Sequence, residues 1–165
     1  MLDATLWVGY SGGLDSSVLL HLLSQSQYTK IKAIHINHNI SKFSADWQQH
    51  CVEFCNKLNI SLICVQASVT LDAGDGPENA ARKARYQAFK QHIAIDDVLL
   101  LAHHLQDQAE TVLLRLFRGA GVKGLAAMQQ ISNIHGIKVV RPLLTTDKTI
   151  LTQYAMDHKI KYIDD

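Results

Sequence analysis

The 165-residue sequence has no apolar run long enough to cross a lipid bilayer. Its longest uninterrupted run is Val98–Ala102, whereas a membrane-spanning helix needs about 20 apolar residues. The first residues also lack the basic, apolar and small-residue segments of a secretory signal peptide. We therefore expect a protein that has no membrane association and works in the cytoplasm.

The chain also lacks a strong net charge and a cysteine pair of the kind used in metal or redox sites. Its formal net charge is +1, which argues neither for nor against a nucleic-acid partner. The three cysteines, Cys51, Cys55 and Cys64, form no CxxC motif, and their odd number suits a reducing compartment. Cys51 and Cys55 fall at helical spacing with Trp47 and Phe54, which predicts buried core thiols rather than ligands.

Short β-branched runs alternate along the chain with longer segments of helical periodicity. The runs that predict strands are Thr5–Tyr10, Ile31–Asn37, Ser61–Gln66, Val98–Ala102 and Ile137–Arg141. The segments that predict helices lie near Leu14–Gln25, Ala45–Leu58, Pro77–His92, Asp107–Arg118 and Asp147–His158, the last with Ile150, Leu151, Tyr154 and Ala155 on its inner face. We expect an α/β fold with a doubly wound, mostly parallel five-stranded sheet and helices on both faces, which is a Rossmann-like arrangement.

The first predicted strand runs directly into the loop Ser11–Ser17, and a helix begins within three residues. Adjacent glycines allow a sharp turn and a close approach to a ligand, and a helix N-terminus favours an anion there. The loop residues that could contact phosphate through N–H or hydroxyl groups are Ser11, Gly12, Gly13, Leu14, Asp15, Ser16 and Ser17. A plain strand–turn–helix junction with Ser or Asp as its N-cap is the alternative.

Asp15 would repel a bare phosphate, so its place in this loop suggests a Mg²⁺ ion between carboxylate and phosphate. The loop has no Gly-Lys-Ser/Thr ending, which excludes a Walker P-loop and its lysine for a γ-phosphate. The Ser-Gly-Gly-x-Asp-Ser pattern resembles the PP-loop ATPases. In that superfamily the loop holds pyrophosphate while the α-phosphate of ATP is attacked.

A second polar segment, Ala102–Thr111, follows the fourth predicted strand and should face the same crevice as the loop. Asp107 and Glu110 could hold Mg²⁺ or accept a proton there. Alternatively, they could only interact favourably with the positive end of the helix dipole. Of the adjacent His103 and His104, one is expected to point into the core. On the helix, a buried stripe is predicted for Ala109, Val112, Leu113, Leu116 and Phe117.

The stretch Ala102–Gly121, with Thr-Val-Leu-Leu-Arg-Leu-Phe-Arg-Gly-Ala-Gly, resembles the second signature of the tRNA(Ile)-lysidine synthetase family. Further matches to that family are His35–His38, Ala45–Trp47, Asn79–Tyr86 and Arg141–Leu143. Gln106 departs from the family, which usually has Asp there, so it is not expected to bind metal. Ile40-Ser41 replaces a usual Leu-Arg pair, so no arginine role carries over to that position.

The resemblance implies an adenine nucleotide alpha hydrolase-like fold, with residues 1–165 as a PP-loop ATP-binding catalytic domain. Family members are longer and carry a C-terminal region that grips tRNA. We therefore expect this chain to be part of a longer protein from which that region is missing.

The family's reaction is an ATP-dependent ligation of lysine to C2 of the wobble cytidine in a CAU anticodon. It passes through an adenylated base and releases AMP and pyrophosphate. The implied cofactors are ATP and Mg²⁺; the implied partners are free L-lysine and a tRNA anticodon loop, and a homodimer is possible. The implied roles are metal binding by Asp15, catalysis by Asp15, Asp107 and Glu110, and substrate or tRNA contacts by His104, Arg82, Arg85, Arg115 and Arg118.

Two other functions fit the same loop. A tRNA thiolating enzyme would use the same AMP chemistry, but such enzymes usually carry a reactive cysteine pair. A non-catalytic ATP-sensing module would leave Asp15, Asp107 and Glu110 without a purpose. In each case we expect the adenine pocket to be built from backbone near Ile34–Ile36 and Leu101–His103.

Overall fold

The computed structural model describes residues 4–37, 42–67, 76–117, 119 and 127–164. Within these ranges the strands are β1 (Leu6–Gly9), β2 (Ile31–Asn37), β3 (Ser61–Gln66), β4 (Val98–Leu100), β5 (Ile131–Ile134) and β6 (Ile137–Val140). The helices are α1 (Leu14–Ser24), α2 (Ser44–Lys57), α3 (Pro77–His92), α4 (Leu105–Phe117) and α5 (Lys148–Asp157). Within the same ranges, no helix combines the length and apolar character needed to span a membrane.

The strands form one sheet in the order β3-β2-β1-β4-β6-β5. All neighbouring pairs are parallel except β5 and β6, which confirms the predicted α/β class and the mostly parallel sheet. The chain builds outward from β1 through β2 to β3 and then returns to the other side of β1 with β4. Such a reversal of strand order opens a crevice at the carboxyl ends of the two strands. The loop after β1 and the segment after β4 therefore meet at one edge of the sheet.

The sheet has six strands within the described ranges, so the prediction of five was wrong. The missed strand, β5, pairs antiparallel with β6 through a tight turn in which His135 and Gly136 have φ values of 53° and 87°. Its residues Ile131–Ile134 alternate between exposed and half-buried at the sheet edge. Strands were predicted from apolar runs whose residues are covered on both faces of the sheet, and the edge strand β5 has no such run.

Two apolar cores lie on opposite faces of the sheet, which confirms helices on both sides. One core contains Val18 of α1, Cys51 of α2 and Leu151 of α5, and the other contains Tyr86 and Phe89 of α3. Full burial of such a side chain stabilises a fold by roughly 1.5–3 kcal/mol. Cys51 and its neighbour in α2, Cys55, are fully buried, so the prediction of core thiols is confirmed.

The predicted buried stripe of α4, formed by Ala109, Val112, Leu113, Leu116 and Phe117, is wrong. None of these side chains is buried, and Phe117 at the end of the helix is 84% exposed. The spacing gave α4 one apolar face, but spacing alone does not tell whether the domain covers that face. In α5, Leu151 and Ala155 are buried as predicted, Tyr154 is half-buried, and Ile150 is 60% exposed because it lies to one side of the inward stripe.

Asp97 joins the beginnings of β1 and β4. Its carboxylate accepts hydrogen bonds from the Thr5 N–H at 2.8 Å and from the Trp7 indole N–H at 2.9 Å. Desolvation raises the pKa of Asp97, but these bonds to the ionised form outweigh it, and the net pKa is lowered. Because the folded-state pKa lies below the unfolded value, the stabilisation is present above that unfolded value and lost as pH falls through the folded pKa.

We predict that Asp97→Ala lowers the free energy of unfolding by about 2 kcal/mol at neutral pH, because two bonds to a charged acceptor are lost. Urea unfolding should show the difference between variant and parent shrinking as the pH is lowered into the acid range. Asp96→Ala is the matched control, since Asp96 is exposed and adjacent, and it should change stability by less than about 0.5 kcal/mol. Equal losses in the two variants would contradict the assignment.

Candidate active site

The loop after β1 turns into α1 within a few residues. Gly12 has φ = 90°, a left-handed conformation that favours glycine, and Gly13 is the N-cap of the helix. The first hydrogen bond of the helix runs from the Ser17 N–H to the Gly13 carbonyl at 3.0 Å. The backbone N–H groups that precede Ser17 have no partner within the helix, and groups of this kind at a helix N-terminus favour an anion. The Gly13 N–H donates to the Ser11 hydroxyl at 3.3 Å.

Serine hydroxyls hold the loop in shape. The Ser11 and Ser16 hydroxyls lie 3.0 Å apart, and the Ser16 hydroxyl donates to the Gly13 carbonyl at 3.1 Å. The Ser17 hydroxyl is fully buried and donates to the Gly12 carbonyl at 3.3 Å. Ser11 and Ser16 line the cleft beside the loop, whereas Ser17 does not. The Ser17 hydroxyl thus supports the loop from inside, and a contact between it and phosphate stays a prediction.

A cleft of about 230 Å³ opens where the loop meets the end of β4. It brings together the loop after β1, the segment that runs from the end of β4 into α4, and the arginines of α3. Its lining residues within the described ranges are Gly9, Ser11, Gly13, Asp15, Ser16, Arg82, Arg85, Tyr86, Leu101, Ala102, His103 and Asp107.

His104 is buried and links the carboxylates of Asp15 and Asp107. Its Nδ1 accepts a hydrogen bond from the Gln106 N–H at 3.2 Å, so Nε2 carries the ring proton. Nε2 lies 3.5 Å from Asp15 Oδ2 and 3.7 Å from Asp107 Oδ2. Asp107 is fixed further by the His104 backbone N–H, which donates to Oδ2 at 2.7 Å. Of the two adjacent histidines, His104 is thus the buried one, yet its ring contacts the site.

The environment of Asp15 favours a cation. Desolvation raises the pKa of Asp15 and the charge of Asp107 raises it further, while His104 and Lys148 act in the opposite direction. Asp15 Oδ1 is buried and has no hydrogen-bond partner. Mg²⁺ is usually held by one or two carboxylates together with substrate phosphates. A carboxylate with an unpartnered oxygen, next to the phosphate loop, fits that ion.

The opposite wall of the cleft is positively charged. Arg82 and Arg85 of α3 line it, and Arg82 lies over the Tyr86 ring at 5.4 Å. Desolvation and the charge of Arg82 lower the pKa of Arg85. Burial and the charge of Arg141 lower the pKa of His103 to about 4, so its imidazole is neutral near pH 7. Tyr86 was not predicted as a site residue, although it lies next to Arg85 in the sequence.

The remaining predicted residues lie outside the cleft or outside the described residues. Glu110 is exposed and Arg115 is half-buried; neither lines the cleft, and Arg118 lies outside the described residues. Of the predicted adenine pocket, Leu101–His103 line the cleft but Ile34–Ile36 do not.

Gln106 faces the start of α5 rather than the cleft. Its side-chain amide donates to Asp147 at 3.0 Å, and its carbonyl oxygen accepts from the Lys148 N–H at 3.0 Å. Both ends of the amide therefore have a partner within the protein. This bond pair also holds the N-terminus of α5 beside α4.

Curated relatives resemble almost the whole chain. A tRNA(Ile)-lysidine synthase from Legionella pneumophila (strain Lens) is 49% identical over 97% of the chain, and one from Histophilus somni (strain 2336) is 44% identical over 97%. The chain spans only 37% of the length of the first protein and 38% of the second. It therefore corresponds to about a third of each relative.

Among solved structures, the U34-tRNA thiolase NcsA from Methanococcus maripaludis, with its [4Fe-4S] cluster, has a similar fold. The TM-score is 0.80 over 98% of this chain and 59% of that chain, with 23% sequence identity. A likeness at that identity concerns the fold alone. The family profile described as a PP-loop domain matches residues 2–165. With the loop geometry at Ser11–Ser17, this match shows that the chain belongs to the PP-loop domain family.

Proposed function

We propose that this chain supplies the ATP-dependent chemistry of lysidine formation, in which lysine is ligated to C2 of the wobble cytidine of a CAU-anticodon tRNA(Ile). The observation that supports it best is the convergence of Asp15 and Asp107 on His104 beside the pyrophosphate loop. The names of the relatives support the choice of substrate. The proposed reaction is an AMP-forming ligation.

The first step is transfer of AMP to the base. The cytosine O2 attacks the α-phosphorus of ATP, the new O2–P bond forms, and the bond to pyrophosphate breaks. Mg²⁺, held by Asp15, would neutralise charge on the phosphates. The first-turn N–H groups of α1 and the hydroxyls of Ser11 and Ser16 hold the departing pyrophosphate. Arg82 and Arg85 on the facing wall hold the phosphates of the nucleotide or of the tRNA.

The second step is attack of the lysine amine on C2. The C2–N bond forms, the C2–O2 bond breaks, and AMP leaves with the former base oxygen. An amine is protonated at neutral pH, so its proton must pass to a base before or during attack. Asp107 lines the cleft and is the better placed of the two candidate carboxylates, because Glu110 is exposed and lies outside the lining.

The cysteines favour ligation over thiolation. Sulfur transfer needs a reactive thiolate, and reactive cysteines have a lowered pKa. Burial raises the pKa of Cys51 and of Cys55 to about 12, and Cys51 is raised further by the charge of Cys55. Both thiols are fully buried in the core between α2 and the sheet. They therefore serve packing in this chain.

We predict that labelled lysine enters an unmodified CAU-anticodon tRNA when ATP and the protein that contains this chain are present. Asp107→Asn should lower the rate of label incorporation by about 100-fold or more, as expected for loss of a base. Glu110→Gln should have a smaller effect, and the double variant the largest. Asp46→Asn is the matched control, because Asp46 also lies in the first turn of a helix and a dipole effect alone would act there equally. Normal incorporation by the double variant would contradict the assigned role.

We predict that Arg82→Gln and Arg85→Gln each weaken tRNA binding by removing a phosphate contact. In filter binding at several salt concentrations, each variant should lower the slope of log affinity against log salt by about one. Lys90→Gln is the control, since Lys90 is exposed near the end of the same helix. If all three variants behave alike, the two arginines have no specific role in the tRNA contact.

A further inference from the structure

A strand-like segment close to residue 164 is hydrogen-bonded to the pyrophosphate loop. Ile163 forms an isolated parallel β-bridge with Gly13, and the Ile163 N–H donates to the Gly12 carbonyl at 2.9 Å. The two partners are far apart in sequence and belong to no common strand pair. The loop is therefore braced from outside the cleft by a segment with no predicted role.

The Ile163 side chain also fills the space beside Gly12. A Cβ atom placed on Gly12 would lie 2.6 Å from Ile163 Cδ1 and 2.9 Å from Cys51 Sγ. Both distances are shorter than a real contact allows, so the absence of a side chain at Gly12 is what admits Ile163. Two features favour glycine at this position: its φ of 90° and the lack of space for a side chain beside Ile163 and Cys51.

The bond to the Gly12 carbonyl fixes the direction of the next N–H group. The carbonyl of Gly12 and the N–H of Gly13 belong to one planar peptide unit, and in a trans unit they point in opposite directions. Ile163 and the Ser17 hydroxyl both donate to that carbonyl. The Gly13 N–H then points toward Ser11, whose hydroxyl lies 3.3 Å away and lines the cleft. Rotation of this peptide unit would instead turn a carbonyl oxygen toward the phosphates.

We propose that Ile163 is a positioning residue that prevents rotation of the Gly12–Gly13 peptide unit and so keeps the loop competent to bind pyrophosphate. Neighbouring glycines offer little steric resistance to such a rotation, so the restraint must come from outside the loop. The inference rests on the ATP-binding part of the proposed function and is independent of the lysine and tRNA steps.

The segment that carries Ile163 is anchored independently of the loop. Ile160 is buried, and its N–H donates to the Ala155 carbonyl at the end of α5 at 2.9 Å. Tyr162 packs against the same core. The support for the loop thus comes from α5 and the core.

The test compares variants of Ile163 by their affinity for inorganic pyrophosphate and for ATP, each with Mg²⁺, using calorimetry. Ile163→Pro removes the N–H donor and should weaken both affinities about tenfold, which corresponds to roughly 1.4 kcal/mol. Ile163→Val keeps the donor and most of the side chain and should stay within about twofold of the parent. Ile160→Ala is the stability control: it should lower the unfolding temperature at least as much as Ile163→Pro and leave both affinities within about twofold.

A second readout needs no substitution. If pyrophosphate binds only the braced loop, adding it should slow hydrogen exchange at the Ile163 amide, while the Ile160 amide should be unaffected. Equal affinity of Ile163→Pro and the parent chain, or unchanged exchange at Ile163, would overturn the inference and leave the proposed ligation standing. Failure of lysine to enter tRNA with these results as expected would overturn the ligation alone. Failure of the parent chain to bind pyrophosphate would overturn both.

Discussion

Asp15 and Asp107 approach the same ring nitrogen of a buried His104, and the rest of the site depends on how their charges are balanced. Desolvation makes the ionised form of Asp15 costly and is the main reason why its pKa is raised, and repulsion from Asp107 adds to that cost. The His104 N–H offsets only part of this cost. The unpartnered Oδ1 of Asp15 leaves one coordination position free for a cation. In the proposed reaction, a metal-bound nucleotide would satisfy that position and bring its own negative charge to Arg82 and Arg85.

The cleft therefore has an ordered distribution of charge. Neutral N–H and hydroxyl donors belong to the loop, the carboxylates of Asp15 and Asp107 lie in the first turns of α1 and α4, and Arg82 and Arg85 belong to α3. In the proposed reaction, the loop donors and the arginines would contact the phosphates of ATP, and the carboxylates would face its metal ion. Such preorganised donors act at the moment when charge develops on the leaving pyrophosphate.

The predictions from sequence were accurate where the interactions are local in the chain and failed where they join distant elements. The loop Ser11–Ser17 was predictable because a glycine turn between a strand and a helix is a local feature. The meeting of Asp15 with Asp107 followed from the parallel topology, which brings the ends of β1 and β4 together. The approach of both carboxylates to His104 Nε2 was not predictable, because it depends on distances between elements far apart in the chain.

The wrong and missing predictions also concern interactions between elements that are distant in the chain. Spacing identified the apolar face of α4 but could not tell which surface covers it, and the edge strand β5 has no buried apolar run to reveal it. The hydrogen bond from the Ile163 N–H to the Gly12 carbonyl could not be predicted from the sequence, since neither residue type indicates a partner. Interactions of this kind appear only when the tertiary fold is known.

We propose that this site transfers AMP to a base on tRNA, and the sharpest test is exchange of labelled pyrophosphate into ATP. In the absence of lysine, we expect rapid exchange when unmodified CAU-anticodon tRNA is present, because adenylation of the wobble cytidine is reversible. Without the tRNA we expect little exchange. Exchange that is independent of tRNA, or hydrolysis of ATP to ADP without exchange, would contradict AMP transfer to a tRNA base.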